Sequence, residues 1–291
     1  MKQYDKFEIE ALGTLISIYL LNSNQKLFEE IKNIILTFQK EYSRFSSESK
    51  VTFLNQNKYD FCQINSELFD ILQKSLVINE KTQGYFDITL NSTLNKLGYK
   101  DQNNLTSSKI KEYLTLIKNF GNSIKLENNS CRLSKNIDLG GIGKGYLIDK
   151  LRLFLIKKNI KEFTINAGGD IYIHSNKRRK VFLEHPTKDN FVFGEIEIKN
   201  LSFCSSSPKY RKFKNNHHLI NPKTKKSSFE NSQIYILHKS ATFADAYATA
   251  FFVMPTKKAI EISKKLNLAI LIIDKNNKIY KSENFKCIIY N

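Results

Sequence analysis

Four glycines stand within six residues in the middle of the chain, at positions 140, 141, 143 and 145. The segment Ile137-Asp138-Leu139 precedes them, a helical pattern follows to about Lys158, and a short apolar run starts at Phe163. This order predicts a strand, a glycine turn, a helix and a strand. Because glycine has no Cβ atom, the turn predicts either close approach of the backbone to a phosphate or a tight helix start.

Two common nucleotide-binding loops do not fit this glycine turn. A P-loop requires Ser or Thr after its lysine, whereas Lys144 is followed by Gly145, so the hydroxyl that would bind Mg²⁺ is missing. The glycine spacing also departs from the GxGxxG pattern of dinucleotide-binding folds. We therefore expect neither a P-loop NTPase nor a Rossmann domain.

The remaining patterns predict an α+β fold, in which mixed, largely antiparallel sheets pack with helices. Alternating apolar residues predict strands within 7–20, interrupted at Gly13, and at 171–174, 181–184, 192–198, 234–237, 269–273 and 287–290. Apolar residues at three- and four-residue spacing predict helices at 27–38, 66–82, 241–254 and 257–266, the second of them capped by Ser66.

Composition limits the domain organisation and the partners. The chain has 291 residues, 41% of them hydrophobic, and contains no Pro-, Gly- or Ser-rich linker. We therefore expect a single domain over residues 1–291, or two intimately packed lobes. The formal net charge of +18 comes from lysines scattered through nearly every segment, so we expect no nucleic-acid binding.

The sequence shows no transmembrane segment and no metal-binding cysteine motif. No run approaches the roughly 20 apolar residues that a membrane helix needs. No signal peptide or lipid-anchor cysteine is visible near Met1, so we expect a cytoplasmic protein, or an extracytoplasmic one if a leader was removed. The cysteines form no CxxC pair, so we expect separate reduced thiols at Cys62, Cys131, Cys204 and Cys287.

Asp245 and Thr249 are four residues apart in a predicted helix of small residues. That spacing places a carboxylate and a hydroxyl on one helix face. Such oxygens form half of a site that Mg²⁺ could complete with water, backbone carbonyls and phosphate. The alternative is a structural pair at the start of a buried helix.

Two further segments contain residues that could act on a ligand. His218 lies shortly before the turn at Pro222, where an imidazole could take a proton from a hydroxyl nucleophile or simply be a surface histidine. The segment Gly84-Tyr85-Phe86-Asp87 could end a helix, or its aromatic pair could face a ring system while its acid orients a polar group.

In their order and spacing these segments resemble the ApbE family of FAD:protein FMN transferases, and the resemblance extends from Gly13 to Thr249. The matching motifs are Ala11-Leu12-Gly13-Thr14, Tyr42-Ser43-Arg44-Phe45 with Ser49 and Leu54-Asn55, Gly84-Tyr85-Phe86-Asp87, Asp138-Leu139-Gly140-Gly141-Ile142-Gly143-Lys144-Gly145-Tyr146 with Asp149, Asn166-Ala167-Gly168-Gly169-Asp170, His218-Leu219-Ile220-Asn221-Pro222-Lys223-Thr224 and Ala244-Asp245-Ala246-Tyr247-Ala248-Thr249.

The resemblance implies an ApbE-like fold and a magnesium-dependent transferase. Such an enzyme cleaves FAD, attaches FMN through a phosphoester to a threonine of an acceptor flavoprotein, of the electron-transport subunit type, and releases AMP. It implies that His218 activates the acceptor and that Gly141, through its carbonyl, Asp245 and Thr249 bind Mg²⁺. The residues implied to surround FAD are Leu12, Phe45, Tyr85, Phe86, Asp87, Asp138 and Lys144.

Three departures from the family pattern bear on the activity. Ser206-Ser207-Pro208 replaces T-S-G, and the proline removes a backbone N–H. Asn221 replaces an aspartate, and Lys225 replaces a glycine. The altered loop leaves hydrolysis of FAD to FMN and AMP open as another function. FAD binding without turnover is a further alternative.

Overall fold

The computed structural model describes residues 4–90, 123–209, 212–213 and 216–290. Its helices are α1 (Gln25–Tyr42), α2 (Lys50–Gln56), α3 (Ser66–Lys81), α4 (Gly143–Lys157), α5 (Ala241–Val253) and α6 (Thr256–Lys265). Its first eight strands are β1 (Tyr4–Ala11), β2 (Thr14–Leu21), β3 (Cys62–Gln63), β4 (Ile124–Glu127), β5 (Ser130–Leu133), β6 (Phe163–Ala167), β7 (Asp170–His174) and β8 (Arg179–Glu184). The others are β9 (Val192–Ile198), β10 (Leu201–Ser206), β11 (Lys212–Phe213), β12 (Asn216–His217), β13 (Asn231–His238), β14 (Ala269–Asp274), β15 (Ile279–Lys281) and β16 (Cys287–Ile289).

An antiparallel sheet of eight strands forms the centre of the fold, in the order β1-β2-β6-β7-β10-β13-β14-β15. Alternate residues of β2, Ile16, Ile18 and Leu20, are fully buried in the main core together with apolar residues of the helices. This alternation is the period of two that is expected of a strand with one face buried against helices. The prediction of an α+β fold with largely antiparallel sheets is confirmed.

A smaller sheet, in the order β16-β9-β8, packs on the opposite face of the large sheet. The second core between them contains Leu183 and Ile196 from the small sheet and Phe203 and Leu271 from the large one.

The four cysteines are free thiols, as predicted, although Cys62 and Cys131 are cross-strand neighbours of β3 and β5. Within the described ranges, no helix is long and apolar enough to span a bilayer.

Two local predictions were wrong, and one central strand was not predicted. The segment 137–139 is not a strand, because the Asn55 side chain bonds both the N–H and the carbonyl of Ile137 and takes the place of a strand partner. Asn65, rather than Ser66, caps α3 by accepting from the Leu68 N–H. The central strand β10 was not predicted, because its polar serines interrupt the apolar pattern.

Asp149 on α4 caps the start of α5 and thereby fixes the helix that contains Asp245. Its carboxylate accepts hydrogen bonds from the Ser240 hydroxyl at 2.5 Å, the Ala241 N–H at 3.1 Å, the Thr242 N–H at 2.9 Å and the Thr242 hydroxyl at 2.7 Å. Since the first backbone N–H groups of a helix have no partner within the helix, one carboxylate here satisfies several donors.

Asp149→Ala is expected to lower the free energy of unfolding by about 3 kcal/mol, because charged hydrogen bonds are lost and the donors at the start of α5 are left unsatisfied. Urea denaturation would measure the change. Asp189→Ala is the control, since the Asp189 side chain is 83% exposed and its loss should change stability by at most about 0.5 kcal/mol. Equal stability of the two variants would contradict this role of Asp149.

Candidate functional site

A cleft of about 620 Å³ lies beside the glycine turn. This volume falls within the roughly 300–1,000 Å³ typical of small-molecule sites. The turn after α3, the turn between β6 and β7, the end of β10 and the helix α5 also line it. Of the eleven residues predicted for the site, nine line this cleft: Tyr85, Phe86, Asp87, Asp138, Gly141, Lys144, His218, Asp245 and Thr249.

The glycine turn both lines the cleft and forms a tight helix start, which are the two alternatives that its sequence left open. Gly140 and Gly141 line the cleft, whereas Gly145 lies inside α4 against the first turn of α5. A Cβ atom on Gly145 would lie 2.3 Å from the Ala241 carbonyl oxygen and 2.8 Å from the Asp245 Cβ. The turn thus exposes backbone to the cleft and lets two helices approach closely.

Lys144 connects two buried carboxylates at the floor of the cleft. Its Nζ lies 2.6 Å from Asp170 Oδ2 and 3.1 Å from Asp245 Oδ1. Burial alone would lower the pKa of Lys144, but the two carboxylates outweigh it and hold that pKa above its ordinary value. Burial raises the pKa of Asp170, although Lys144 opposes this effect. Both carboxylates therefore depend on cations for charge balance.

The three residues predicted to bind Mg²⁺ all line the cleft. Asp245 is 2% exposed, and its Oδ2 accepts from the Gly145 N–H at 2.9 Å. Thr249 follows one helical turn later, and a Cβ atom on Gly141 would lie 3.5 Å from its hydroxyl oxygen. No group of three or more His, Cys, Asp or Glu residues suited to a metal occurs in the part of the chain that the structure describes. The set of one carboxylate, one hydroxyl and one carbonyl is chemically suited to Mg²⁺, which prefers oxygen.

The segment after α3 both ends the helix and lines the cleft. Gly84 adopts a φ of +79°, and its N–H donates to the Asn79 carbonyl at 2.8 Å, so the helix terminates as its sequence predicts. The chain then places Tyr85, Phe86 and Asp87 in the cleft wall. The Asp87 carboxylate accepts from both the N–H and the hydroxyl of Thr89 at 2.7 Å, which fixes its orientation.

Leu12 and Phe45 are the two predicted site residues that do not line the cleft. The Leu12 N–H donates to Gln39 Oε1 at 2.7 Å, and the following residues Gly13 and Thr14 line the cleft instead. Phe45 is 63% exposed and stacks with the Arg44 guanidinium, 4.4 Å from its ring centroid. Arg44 in turn pairs with the cleft residue Asp138 at 3.2 Å. Phe45 therefore contacts the site through Arg44.

The two adjacent histidines occupy different environments. His217 is 2% exposed, and its Nε2 lies 2.8 Å from the Ser228 carbonyl in the core. His218 is less buried and lines the cleft. The strand β12 ends at His217, and His218 is the first residue of the bend that follows.

The turn after His218 persists despite its two departures from the family pattern. Asn221 accepts from the Lys223 N–H at 2.9 Å, while its Nδ2 donates to the Val253 carbonyl at 2.9 Å. An aspartate could not make the second bond. Lys225 adopts a φ of 59°, the left-handed conformation that a glycine would adopt most easily.

Asp170 and the serines at the end of β10 and just after it also line the cleft, although the sequence did not predict them as site residues. Asp170 accepts from the Ser205 N–H at 3.1 Å, so β10 fixes the carboxylate that pairs with Lys144. Ser205, Ser206 and Ser207 line the cleft. The available signal was the Asn166-Ala167-Gly168-Gly169-Asp170 motif, which ends on this aspartate.

The sequence profile of the ApbE family matches residues 12–272. The chain belongs to the ApbE family. The matched range contains every residue that lines the cleft, so the site described above lies entirely in the part of the chain shared with this family.

Similar proteins are named FAD:protein FMN transferase. The relative from Buchnera aphidicola subsp. Schizaphis graminum is 28% identical over 91% of this chain and 82% of its own length. The relative from Haemophilus influenzae is 25% identical over 91% of this chain and 84% of its own length.

Solved ApbE structures share the fold over nearly the whole chain. The ApbE protein of Thermotoga maritima superposes with a TM-score of 0.88 at 25% identity, covering 97% of this chain and 98% of that one. The flavin transferase ApbE of Vibrio cholerae superposes with a TM-score of 0.86 at 19% identity, with the same coverage. These structures support the predicted ApbE-like arrangement of sheets and helices.

Proposed function

We propose that this chain transfers the FMN half of FAD to a threonine of an acceptor flavoprotein and releases AMP. The observation that carries the proposal is that nine motif residues, separated by up to 164 positions between Tyr85 and Thr249, line one cleft. The names of the relatives point to transfer of FMN from FAD to a protein. A capping or purely structural role for these residues would not require them to face a common cavity.

We propose Mg²⁺ as the cofactor, held by Asp245, Thr249 and the carbonyl of Gly141. When bound, Mg²⁺ would neutralise charge on the pyrophosphate of FAD. The buried pair of carboxylates supports the proposal. Among the described residues, Lys144 is the one cationic side chain at ion-pair distance from Asp170 and Asp245. With both carboxylates ionised, Lys144 balances one of the two negative charges, and the remaining negative charge would attract a divalent cation.

His218 would take the proton of the acceptor hydroxyl as its oxygen attacks the FMN phosphorus. A phosphoester bond forms to the acceptor oxygen, the pyrophosphate P–O bond breaks, and AMP leaves with the bonding electrons. Tyr85 would offer an aromatic face to the flavin, while Lys144 would contribute positive charge near the phosphates. The acceptor hydroxyl and FAD would thus meet between His218 and α5.

His218→Ala is expected to reduce transfer by roughly 10²- to 10⁴-fold, the usual contribution of a general base, while FAD affinity stays within about twofold. Chromatography of AMP and mass spectrometry of a threonine-containing acceptor peptide would measure transfer, and flavin fluorescence would measure binding. His185→Ala, outside the cleft lining, is the control.

Unchanged transfer in His218→Ala would contradict the role of this histidine. Hydrolysis of FAD is the second candidate, because Pro208 replaces a family glycine next to the cleft serines and removes an N–H that could orient an acceptor. AMP released at the same rate with and without any acceptor would favour hydrolysis, whereas AMP release that requires the acceptor would exclude it.

A further inference from the structure

A second cavity, of about 460 Å³, lies next to the cleft over the large sheet. The two cavities share Ile171, Val181 and Phe182 in their walls. Tyr19 and Thr164 line only the second cavity, which we call the trough. The trough is therefore the immediate neighbour of the cleft.

The floor of the trough is the face of the large sheet that the small sheet leaves uncovered. Asn166 lines the cleft, and Thr164, two residues earlier on β6, lines the trough, so the two side chains lie on the same face of one strand. Tyr19 is the cross-strand partner of Thr164 and is 36% exposed. The floor is therefore a flat strip of sheet with an accessible aromatic ring.

The wall of the trough is β8, an edge strand. Among the described strands, β8 pairs only with β9 in the small sheet. Four consecutive residues of β8, numbers 179–182, line the trough, and Phe182 is 54% exposed. An edge strand presents unpaired backbone groups to which an extended segment can bond. The nearby cations Arg179 and Lys180 are already paired with Glu162 and Glu195, so the accessible contacts are mainly aromatic and main-chain.

We propose that the trough binds the extended stretch of the acceptor protein that flanks the modified threonine. This inference rests on the proposed function. A threonine that reaches the cleft belongs to a continuous chain, and that chain must leave the cleft through an opening. The trough provides a path next to the cleft, and the exposed rings of Tyr19 and Phe182 in its lining could pack against an apolar or aromatic acceptor side chain.

The length of the path defines where that side chain should lie. An extended chain advances about 3.3 Å per residue, and the trough begins two strand residues from Asn166. We therefore expect the enzyme to prefer an apolar or aromatic residue about two to four positions from the modified threonine, on one side only.

The test uses the full-length protein, FAD, Mg²⁺ and a library of twelve-residue peptides with a fixed central threonine and varied flanks. Mass spectrometry identifies the peptides that gain FMN. The variants are Tyr19→Ser, which removes the ring from the trough, and Thr164→Arg, which fills its floor. Phe53→Ser on α2 is the control, because Phe53 is 50% exposed and lines neither cavity.

We expect wild type to favour peptides with an apolar residue at one side, and both trough variants to raise the KM for such a peptide roughly ten- to thirty-fold. FAD affinity and kcat at saturating peptide should stay unchanged, as should all parameters of the control. An unchanged KM in both variants, or transfer without flank preference, would overturn the proposal. Cleavage of FAD with no transfer to any peptide would also overturn it, whereas intact FAD in every arm would instead refute the proposed function.

Discussion

Asp245→Asn is expected to lower magnesium-dependent cleavage of FAD by roughly 10²- to 10³-fold, the usual effect of removing one preorganised electrostatic contact to the reacting groups. Asparagine has nearly the same size and can still accept from the Gly145 N–H, which Asp245 bonds at 2.9 Å. The negative charge is lost, so the cluster with Lys144 and Asp170 no longer attracts a divalent cation. AMP release, followed by chromatography over a range of Mg²⁺ concentrations, would measure the loss.

Two variants at Thr249 provide a matched control for this prediction. Thr249→Ser keeps the hydroxyl that lies next to Gly141, whereas Thr249→Val keeps the shape and removes it. We expect valine, but not serine, to weaken binding of Mn²⁺, measured by electron paramagnetic resonance without FAD. If Asp245→Asn and Thr249→Val both bound Mn²⁺ as wild type does, the assignment of these oxygens as ligands would be wrong.

Gly145→Ala is expected to lower the free energy of unfolding by about 3 kcal/mol, at the upper end of the usual cost of overpacking. The added methyl group would lie 2.3 Å from the Ala241 carbonyl oxygen and 2.7 Å from its carbon. Both are backbone atoms that cannot rotate away, so α4 and α5 must separate. Thermal and urea denaturation would measure the change.

Gly143→Ala tests whether close packing, rather than the loss of any glycine, causes that effect. The nearest atom to a Cβ on Gly143 is 3.9 Å away, which is an ordinary van der Waals contact. Because alanine favours a helix more than glycine does, this variant should be neutral or up to about 1 kcal/mol more stable. Equal destabilisation of the two variants would contradict the packing described for Gly145.

Elements with a regular apolar period could be predicted from the sequence. The strand Val192–Ile198 has the predicted bounds. The helix predicted at 241–254 differs from the structure by one residue at its end, and the helix predicted at 257–266 differs by one residue at each end. Prediction failed where side chains replaced the usual backbone partners. The side chain of Asn55, which lies on α2, bonds the backbone N–H and carbonyl of Ile137. No local sequence pattern indicates such a hydrogen bond.

Site residues could be predicted where a motif combines a reactive side chain with a spacing that indicates its role. Asp245 and Thr249 could be paired by helical spacing, but their approach to Gly141 depends on how α4 packs against α5. Leu12 and Phe45 were assigned by resemblance, and their distance from the cleft follows from contacts with Gln39 and Arg44. The trough could not be predicted, since it depends on how far the small sheet covers the large one.

The most direct test is chromatography of FAD incubated with the full-length protein and the threonine peptides, with and without Mg²⁺. We expect AMP only when Mg²⁺ is present, with an equal amount of FMN bound to threonine in the peptide fraction. FAD that remains intact in every arm, although it binds the protein, would contradict the proposed transfer.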